Sequence, residues 1–448
     1  MTDVIVVGAG ISGLSAAYRL EKAGFEVMVL ERASSVGGMI QSERTNGYLI
    51  ERGPNSIQSR TPLLDYFVRE LGLSDAKVEA SEAAGIRYIV RNERPIAAPT
   101  SPTALFSSNL FGAGAKLRLM REPFVAAGDP KEDESVASFM RRRLGQEFLD
   151  YAINPFVGGV FAGDPELLSV KHTFPSLVEL EQMHGSIIRG RIEKRRDSQR
   201  LAETSAMFSF RDGLCQLPGA LAGHLRDVRT NHSVGAATKS DPDWKVSTSQ
   251  GDFLARAVIC TVPLHRLDQM MLPDLLQTAI LSNVSYPPLA VVHHAYRRED
   301  VRHPLNGFGM LVPEVERKFK ILGSLFTSSI FPHRAPEGEI LLTTFVGGQR
   351  HPRLASNSPD ELHRLVRSDL STVLGLRGEP TFMRHTVWTH AIPQYALGYD
   401  AVIDAIERIE EQFPGWYMAG NYYGGVSVGD AAQSGDDAAA RCISTMLS

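Results

Sequence analysis

An α/β architecture, with a parallel sheet that the chain leaves twice and re-enters, is what the sequence predicts from three observations. Val4-Ile5-Val6-Val7 is an unbroken apolar run ending on glycines, the pattern of a strand buried on both faces. Helical spacing follows from Ile11 to Ala23 through Leu14, Ala17, Tyr18 and Leu20. Gly24 closes it, and a second strand, Glu26-Val27-Met28-Val29-Leu30, comes next. Far downstream the helix–strand pattern returns and ends on Gly415-Trp416-Tyr417-Met418-Ala419-Gly420-Asn421. The opening βαβ unit and the late return together predict a discontinuous, Rossmann-like domain.

The intervening elements read as insertions. Leu63, Leu64, Phe67, Val68 and Leu71 mark an amphipathic helix between Pro62 and Leu73, and Arg87 to Val90 a short strand. From Ser101 to Gly213 the pattern is mostly helical, broken by Pro123, Pro155, Pro165 and Pro175. Arg189 to Arg200 is rich in arginine and reads as a solvated connection. Alternation in Leu289-Ala290-Val291-Val292-His293 and in Ile340–Val346 predicts a mixed sheet. The expected division places residues 1–85, 204–270 and 385–448 in the nucleotide domain, 86–98 and 271–384 in the mixed-sheet domain, and 99–203 in a helical domain.

Composition bounds the function. A chain of 448 residues exceeds one compact core, and 43% hydrophobic with 22% charged residues is a globular balance. A net charge of −4 argues against a nucleic-acid partner. Cys215, Cys260 and Cys442 have no metal-ligand spacing and predict neither a metal site nor a disulfide framework. The chain enters its first strand with no basic, apolar leader, so no signal or transit peptide is expected. No run approaches the roughly 18 uncharged apolar residues of a bilayer span, so any membrane attachment should be peripheral.

Gly8-Ala9-Gly10-Ile11-Ser12-Gly13 is a GxGxxG between a strand and a helix. Its first glycine permits the turn, the second lets the backbone approach a pyrophosphate, and the third lets helix and strand pack closely. Glu31, 18 residues past Gly13, ends the second strand where a carboxylate can accept ribose hydroxyls. Such a motif alone can be an ordinary glycine turn; here strand, helix and acid are in register.

Glu31-Arg32-Ala33-Ser34-Ser35-Val36-Gly37-Gly38, with Met39, resembles the second motif of FAD-dependent amine oxidases and their relatives. Gly53-Pro54-Asn55-Ser56 resembles the loop that passes against the isoalloxazine ring. Gly420-Asn421 and Val426-Ser427-Val428 resemble the last FAD motif, where a helix N-terminus meets the flavin. Val234 falls where relatives hold the adenine, and Trp388 in the segment before the last motif. The middle of the chain is similar to the protoporphyrinogen oxidase family, most specifically in Asn154-Pro155-Phe156-Val157-Gly158-Gly159-Val160-Phe161-Ala162-Gly163-Asp164-Pro165. Asn154 stands where family relatives often carry Asp.

The resemblance implies an α/β, amine-oxidase-like flavoprotein with a mixed-sheet substrate domain and an inserted helical membrane-binding domain. It implies non-covalent FAD, since no cysteine lies between Cys260 and Cys442, and six-electron oxidation of a porphyrinogen by O2 with release of H2O2. Flavin chemistry needs positioning rather than a catalytic triad or paired carboxylates, so no catalytic side chain is assigned. Arg87 matches a propionate-binding arginine, Asn55 the flavin face, Gly159 a backbone contact to substrate, and Leu289, Leu311 and Phe326 the residues that sandwich pyrrole rings. A surface ion pair is the alternative for Arg87, and core packing for the three apolar residues.

Coproporphyrinogen oxidase remains open as the activity, as do an amine oxidase, a carotenoid desaturase and a flavin-binding scaffold without turnover. The resemblance also implies a homodimer and hand-off of product to a ferrochelatase. Leu105, Phe106, Leu110, Phe111, Leu117, Leu119 and Phe124, interspersed with Lys116, Arg118 and Arg121, suit a helical patch lying in lipid headgroups. The expected seat is the cytoplasmic face of the cell membrane.

Overall fold

Alternation within the first strand, Thr2–Val7, sets up two cores. Val4 and Val6 point to one side and Ile5 and Val7 to the other, all within 3% of complete burial. On the Val4 side lie the helices Ile11–Lys22, Pro62–Glu70 and Val428–Leu447; on the Ile5 side lies Asp400–Gln412. The structure is a computed structural model and describes residues 2–59, 61–198, 207–240, 242–269 and 278–447.

The sheet order is Val228–Arg229, Val27–Leu30, Thr2–Val7, Gly251–Cys260, Asp243–Thr248, Val234–Ser240. Trp416–Met418 pairs in parallel with the end of Gly251–Cys260. Pairing is parallel from Val228 to Cys260 and antiparallel beyond it, so a meander is attached to a doubly covered parallel sheet.

A second sheet runs Phe382–Trp388, Leu289–Arg297, Glu339–Gly347, Ile321–Leu325, Gly309–Leu311, Arg87–Arg91, Arg94–Ala97. One face carries Tyr88, Val90, Ala290, Val292, Met310, Leu342 and Val346 and is buried by Leu362, Val366 and Leu370 of the helix Pro359–Leu374. A capping box between Ser358 and Glu361 starts that helix. Register puts Arg87, Leu311, Leu325, Thr343, Phe345, Leu289, His293 and Trp388 on the opposite face, toward the nucleotide domain.

The region from Pro102 is helical as expected. Its core holds a fully buried ion pair, Arg143 Nη1 to Glu122 Oε1 at 3.1 Å, and Glu122 also accepts the Ile187 N–H at 3.0 Å. The helix Asn154–Phe161 follows directly on a π-helical turn, Leu149–Ile153.

Four expectations change. The basic stretch read as a solvated connection is helix, Ile187–Ser198, while Arg200 lies outside the described residues. Residues 385–388 belong to the mixed sheet, because Thr386 to Trp388 pair with Val291 to Leu289. Met207–Phe210, within the region expected to be mostly helical, is the central strand of a small sheet with Ile57–Gln58 and Lys77–Glu79. Leu110 and Phe111 are core, not surface: they are 1% and 4% exposed, and Phe111 stacks on Phe148 at 4.1 Å.

A buried ion pair joins the domains. Arg334 Nη2 lies 2.8 Å from Glu51 Oε1, both side chains having no exposure. Glu51 also accepts from Ser42 Oγ at 2.5 Å and from the Leu214 N–H at 2.9 Å, and Arg334 donates to Ser209 Oγ at 2.5 Å. Truncating one partner of such a pair strands the other charge and costs about 3–5 kcal/mol. Arg334→Ala should therefore lower the first thermal transition by on the order of 5 °C, read by calorimetry. Glu51→Gln in the same background should recover part of the loss.

Candidate active site

The phosphate loop is shaped by what it cannot accommodate. A Cβ on Gly13 would stand 2.0 Å from the Gly8 carbonyl oxygen, so the helix can approach the strand only with glycine there. Beside Gly10 there is instead open space. Gly10 caps Ile11–Lys22 without a side-chain hydrogen bond, and no acidic residue sits in the first turn. The helix therefore presents unpaired N–H groups and a partial positive charge over Gly10, suited to a pyrophosphate. Ile11 and Ser12, 8% and 7% exposed, contribute backbone and packing rather than an accessible side chain.

Glu31 accepts the Ala9 N–H on Oε2 at 2.8 Å and the Ala33 N–H on Oε1 at 2.7 Å. It thereby ties the glycine turn to the segment that follows, with Arg32 exposed between. Asn231 and His232 donate their N–H groups to the carbonyls of Ala33 and Glu31, bringing the start of Val234–Ser240 to this end of the sheet. Gly37 donates to the Ala9 carbonyl at 2.8 Å, and Gly38 lies against Gly10. The Met39 carbonyl is 2.0 Å from where a Cβ on Gly53 would stand, so the second motif and the flavin-face loop are in contact.

That loop, Gly53-Pro54-Asn55-Ser56, passes between the domains. Trp388 Nε1 donates to the Arg52 carbonyl at 2.6 Å, and Arg52 Nε donates to Thr386 Oγ1 at 3.2 Å, so the last strand of the mixed sheet holds its near end. Asn55 donates to the Gly53 carbonyl at 3.0 Å, while its buried Oδ1 makes no hydrogen bond among the described residues. A cavity opens beside the loop, lined by Asn55, Ser56, Phe308, Leu325, Thr327, Ile330 and Phe331.

The C-terminal motif closes the other side. Ser427 and Asp430 cap each other's N–H groups at 3.1 Å at the start of Val428–Leu447. Gly420 donates to Ser434 Oγ at 3.0 Å, and Tyr395 donates to the Asn421 carbonyl at 2.5 Å. Val426 packs against both the nucleotide-domain core and the helical-domain core.

The substrate-side residues divide. Arg87 is exposed, its guanidinium 5.3 Å from the centre of the Phe308 ring that lines the cavity. A Cβ on Gly159 would lie 2.4 Å from Leu311 Cδ2, so these two meet at one wall. Asn154 steadies that helix: its Oδ1 accepts from Arg350 Nη2 at 3.0 Å and from the Glu314 N–H at 2.9 Å. Leu289 shares the site face with Phe345 and Trp388, in a cluster with Ala162. Phe326 does not join them. It is fully buried in the core behind the sheet, with its ring 6.1 Å from Tyr88 and 5.5 Å from His303, and cannot reach a ring on the other face.

Leu325 and Phe345 lie on the same face of the sheet as Leu311, and Phe308, Leu325 and Thr327 line the cavity beside Asn55; the sequence did not single them out. Strand parity carried the signal: Leu325 sits across from Gly309, level with Arg87, and its neighbour Phe326 turns away.

Residues 11–443 match the family described as flavin containing amine oxidoreductase. The chain belongs to that family and is an FAD-dependent oxidoreductase, which the loop geometry fits. Within it the sequence stands with the protoporphyrinogen oxidases. Protoporphyrinogen oxidase 2, chloroplastic/mitochondrial, of Arabidopsis thaliana is 38% identical over 480 residues, covering 99% of this chain and 94% of that protein. Coproporphyrinogen III oxidase of Bacillus subtilis is 30% identical over 467 residues, covering 99% and 98%. A crystal structure from Exiguobacterium sp. 255-15, provisionally assigned as a protoporphyrinogen oxidase, superposes with a TM-score of 0.86 at 24% identity, covering 100% and 99%, and shares the fold.

Converting Glu31 to Gln leaves one amide oxygen where two carboxylate oxygens hold Ala9 and Ala33. Hydrogen bonds to a charged group contribute about 1.5–3 kcal/mol each, so FAD affinity should fall by roughly tenfold or more. Titration of the apoprotein, followed by flavin fluorescence, checks this.

Proposed function

We propose that this protein oxidises protoporphyrinogen IX to protoporphyrin IX. One arrangement carries the reading: a cation, Arg87, at the rim of an apolar wall of Leu311, Gly159, Leu325 and Phe345, facing the flavin loop at Asn55. The wall suits an apolar macrocycle of pyrrole rings. The guanidinium suits a carboxylate at its edge, which it can hold bidentately. Three two-electron rounds, with bound FAD as hydride acceptor and O2 as terminal oxidant, would give the porphyrin and H2O2. The chain's own part is to hold the ring against the flavin in a water-poor slot and to anchor its propionate side.

Coproporphyrinogen III is the second reading, favoured by the Bacillus subtilis relative. Its additional carboxylates would need further cations near the rim. Anaerobic titration with each porphyrinogen, following flavin bleaching, decides between them, and neither bleaching the flavin would overturn both. In the same assay Arg87→Ala should raise KM by roughly tenfold to a few hundredfold with FAD content unchanged, as loss of a charge-assisted contact implies. An unchanged KM would make Arg87 a surface residue only.

The proposal extends to a peripheral seat on the cytoplasmic face of a membrane. No helix among the described residues is long and apolar enough to cross one. Phe106, Leu117, Met120 and Phe124 of the helical domain are 51%, 53%, 58% and 83% exposed, an apolar set beside exposed Arg121 that suits the headgroup layer. The family resemblance adds a homodimer and hand-off of product to a ferrochelatase. Liposome flotation with anionic lipid tests the seat: wild type should float, and a combined Phe106→Ser, Leu117→Ser and Phe124→Ser variant that keeps its FAD should not. Leu110 and Phe111 are left intact because they are core.

A further inference from the structure

The helix Ile187–Ser198 carries five cations, Arg189, Arg191, Lys194, Arg195 and Arg196, against two acids, Glu193 and Asp197. The whole chain has a net charge of −4, so this helix is positive on a negative protein. Glu193 is already engaged by Nδ1 of His184 at 2.7 Å. Among the described side chains, none that is acidic pairs with Arg189, Arg191 or nearby Arg121, and all three are exposed.

The helix is also fixed beside exposed apolar surface. The buried carboxylate of Glu122 accepts the N–H groups of Ile187 at 3.0 Å and of Ile188 at 3.3 Å. Gly190 packs so closely on the preceding helix, Pro175–His184, that a Cβ there would stand 2.6 Å from Leu180 Cδ2. Ile187 and Gly190 therefore face inward, while Arg189 and Ile192, on the other side of the helical turn, face out. Two residues past Glu122 stands Phe124, its ring centre 5.8 Å from the Arg189 guanidinium. Met120 adjoins Arg121 and is exposed, as are Ile192 and Met183 on the two packed helices.

Cations without acidic partners, set among exposed apolar side chains, match hydrocarbon beneath a layer of negative headgroups. A nucleic acid offers the charge but gives Met120, Met183 and Ile192 nothing to enter. We propose that the helix Ile187–Ser198, together with Arg121, binds anionic phospholipid headgroups, with Phe124 and Ile192 reaching the layer below. This rests on the membrane seat proposed above and deepens it, naming the lipid class and the element that recognises it. It also gives the seat a direction: an anionic leaflet repels a protein of net charge −4 but attracts this face, so the helical domain meets the bilayer first.

The test measures partition of the FAD-bound protein by co-sedimentation with vesicles of phosphatidylcholine, with and without phosphatidylserine. A cation near an anionic surface contributes roughly fivefold, so wild type should prefer the phosphatidylserine vesicles by about tenfold or more. Raising salt from about 0.1 M to about 1 M should remove most of that preference, since the screening length falls from about 10 Å to about 3 Å. Arg189→Gln with Arg191→Gln should weaken partition onto phosphatidylserine vesicles by roughly tenfold or more and leave binding to phosphatidylcholine within about twofold. If that variant does not retain FAD, the salt dependence of wild type decides. Equal binding of wild type to both vesicles, a preference that survives high salt, or a preference undiminished in the variant would overturn the proposal and leave the membrane seat intact. Salt-sensitive binding of an oligonucleotide with no vesicle preference would assign the helix to nucleic acid instead. Binding to neither vesicle would overturn the seat first.

Discussion

Glu51 is buried without exposure between the hairpin that contains it and Arg334 of the mixed-sheet domain. The next residues, Arg52 to Ser56, form the loop between the two halves of the site, so the loop starts from a point fixed in both. Trp388 then takes the Arg52 carbonyl, and the loop is held on the sheet before it reaches Asn55. A buried pair of this kind need not add net stability, because desolvation offsets much of the attraction. Its effect here is registration. It ties the loop at Gly53 to the sheet that carries Leu311, Leu325 and Phe345, a link that neither sheet makes alone.

The backbone-defined half of the site was legible in the sequence because its residues are read by steric exclusion. Gly13 must be glycine where a Cβ would meet a carbonyl at 2.0 Å, and such requirements leave motifs. Glu31 was legible because its position at a strand end follows from the element order. The side-chain half was less so. Leu311 and Leu289 lie on one face of the sheet, whereas Phe326, singled out with them, lies behind it and its neighbour Leu325 shares their face; a one-residue shift in a strand exchanges the faces. Composition cannot distinguish them, since both are large and apolar; only the pairing partners do. Leu110 and Phe111 failed for a related reason: in the turn between the helices Pro102–Ser107 and Ala113–Met120 an apolar residue fits a membrane surface or a core equally well, and Phe148, which decides, is remote in sequence.

The helical insertion meets the site through one short element. Asn154–Phe161 runs beside the mixed sheet, with Gly159 on Leu311 and Asn154 fixed by Arg350 and Glu314. The π-turn at Leu149–Ile153 leads directly into this helix, on which Gly159 lies against Leu311 and Gly158 against Arg350. The slot wall is therefore built from two domains, with Gly159 packed on Leu311 along it and Asn154 held by polar contacts at its end.

The parallel sheet has a consequence for how the chain acquires its cofactor. Thr2–Val7 is paired by Gly251–Cys260, whose other side is completed by Trp416–Met418. The phosphate-loop helix is covered by the last helix, where Gly435 would meet the Ser12 carbonyl at 1.9 Å were it any larger residue. Contacts this far apart in sequence form late and slowly. During synthesis the loop at Gly8 emerges first, yet its covering helix comes from residues made after more than 400 others. A nascent chain therefore carries an exposed, unfinished nucleotide cradle for most of its translation. Flavin capture becomes a late step of maturation, coincident with the docking of Val428–Leu447, so a lesion in that helix would be felt as loss of holoenzyme before loss of fold.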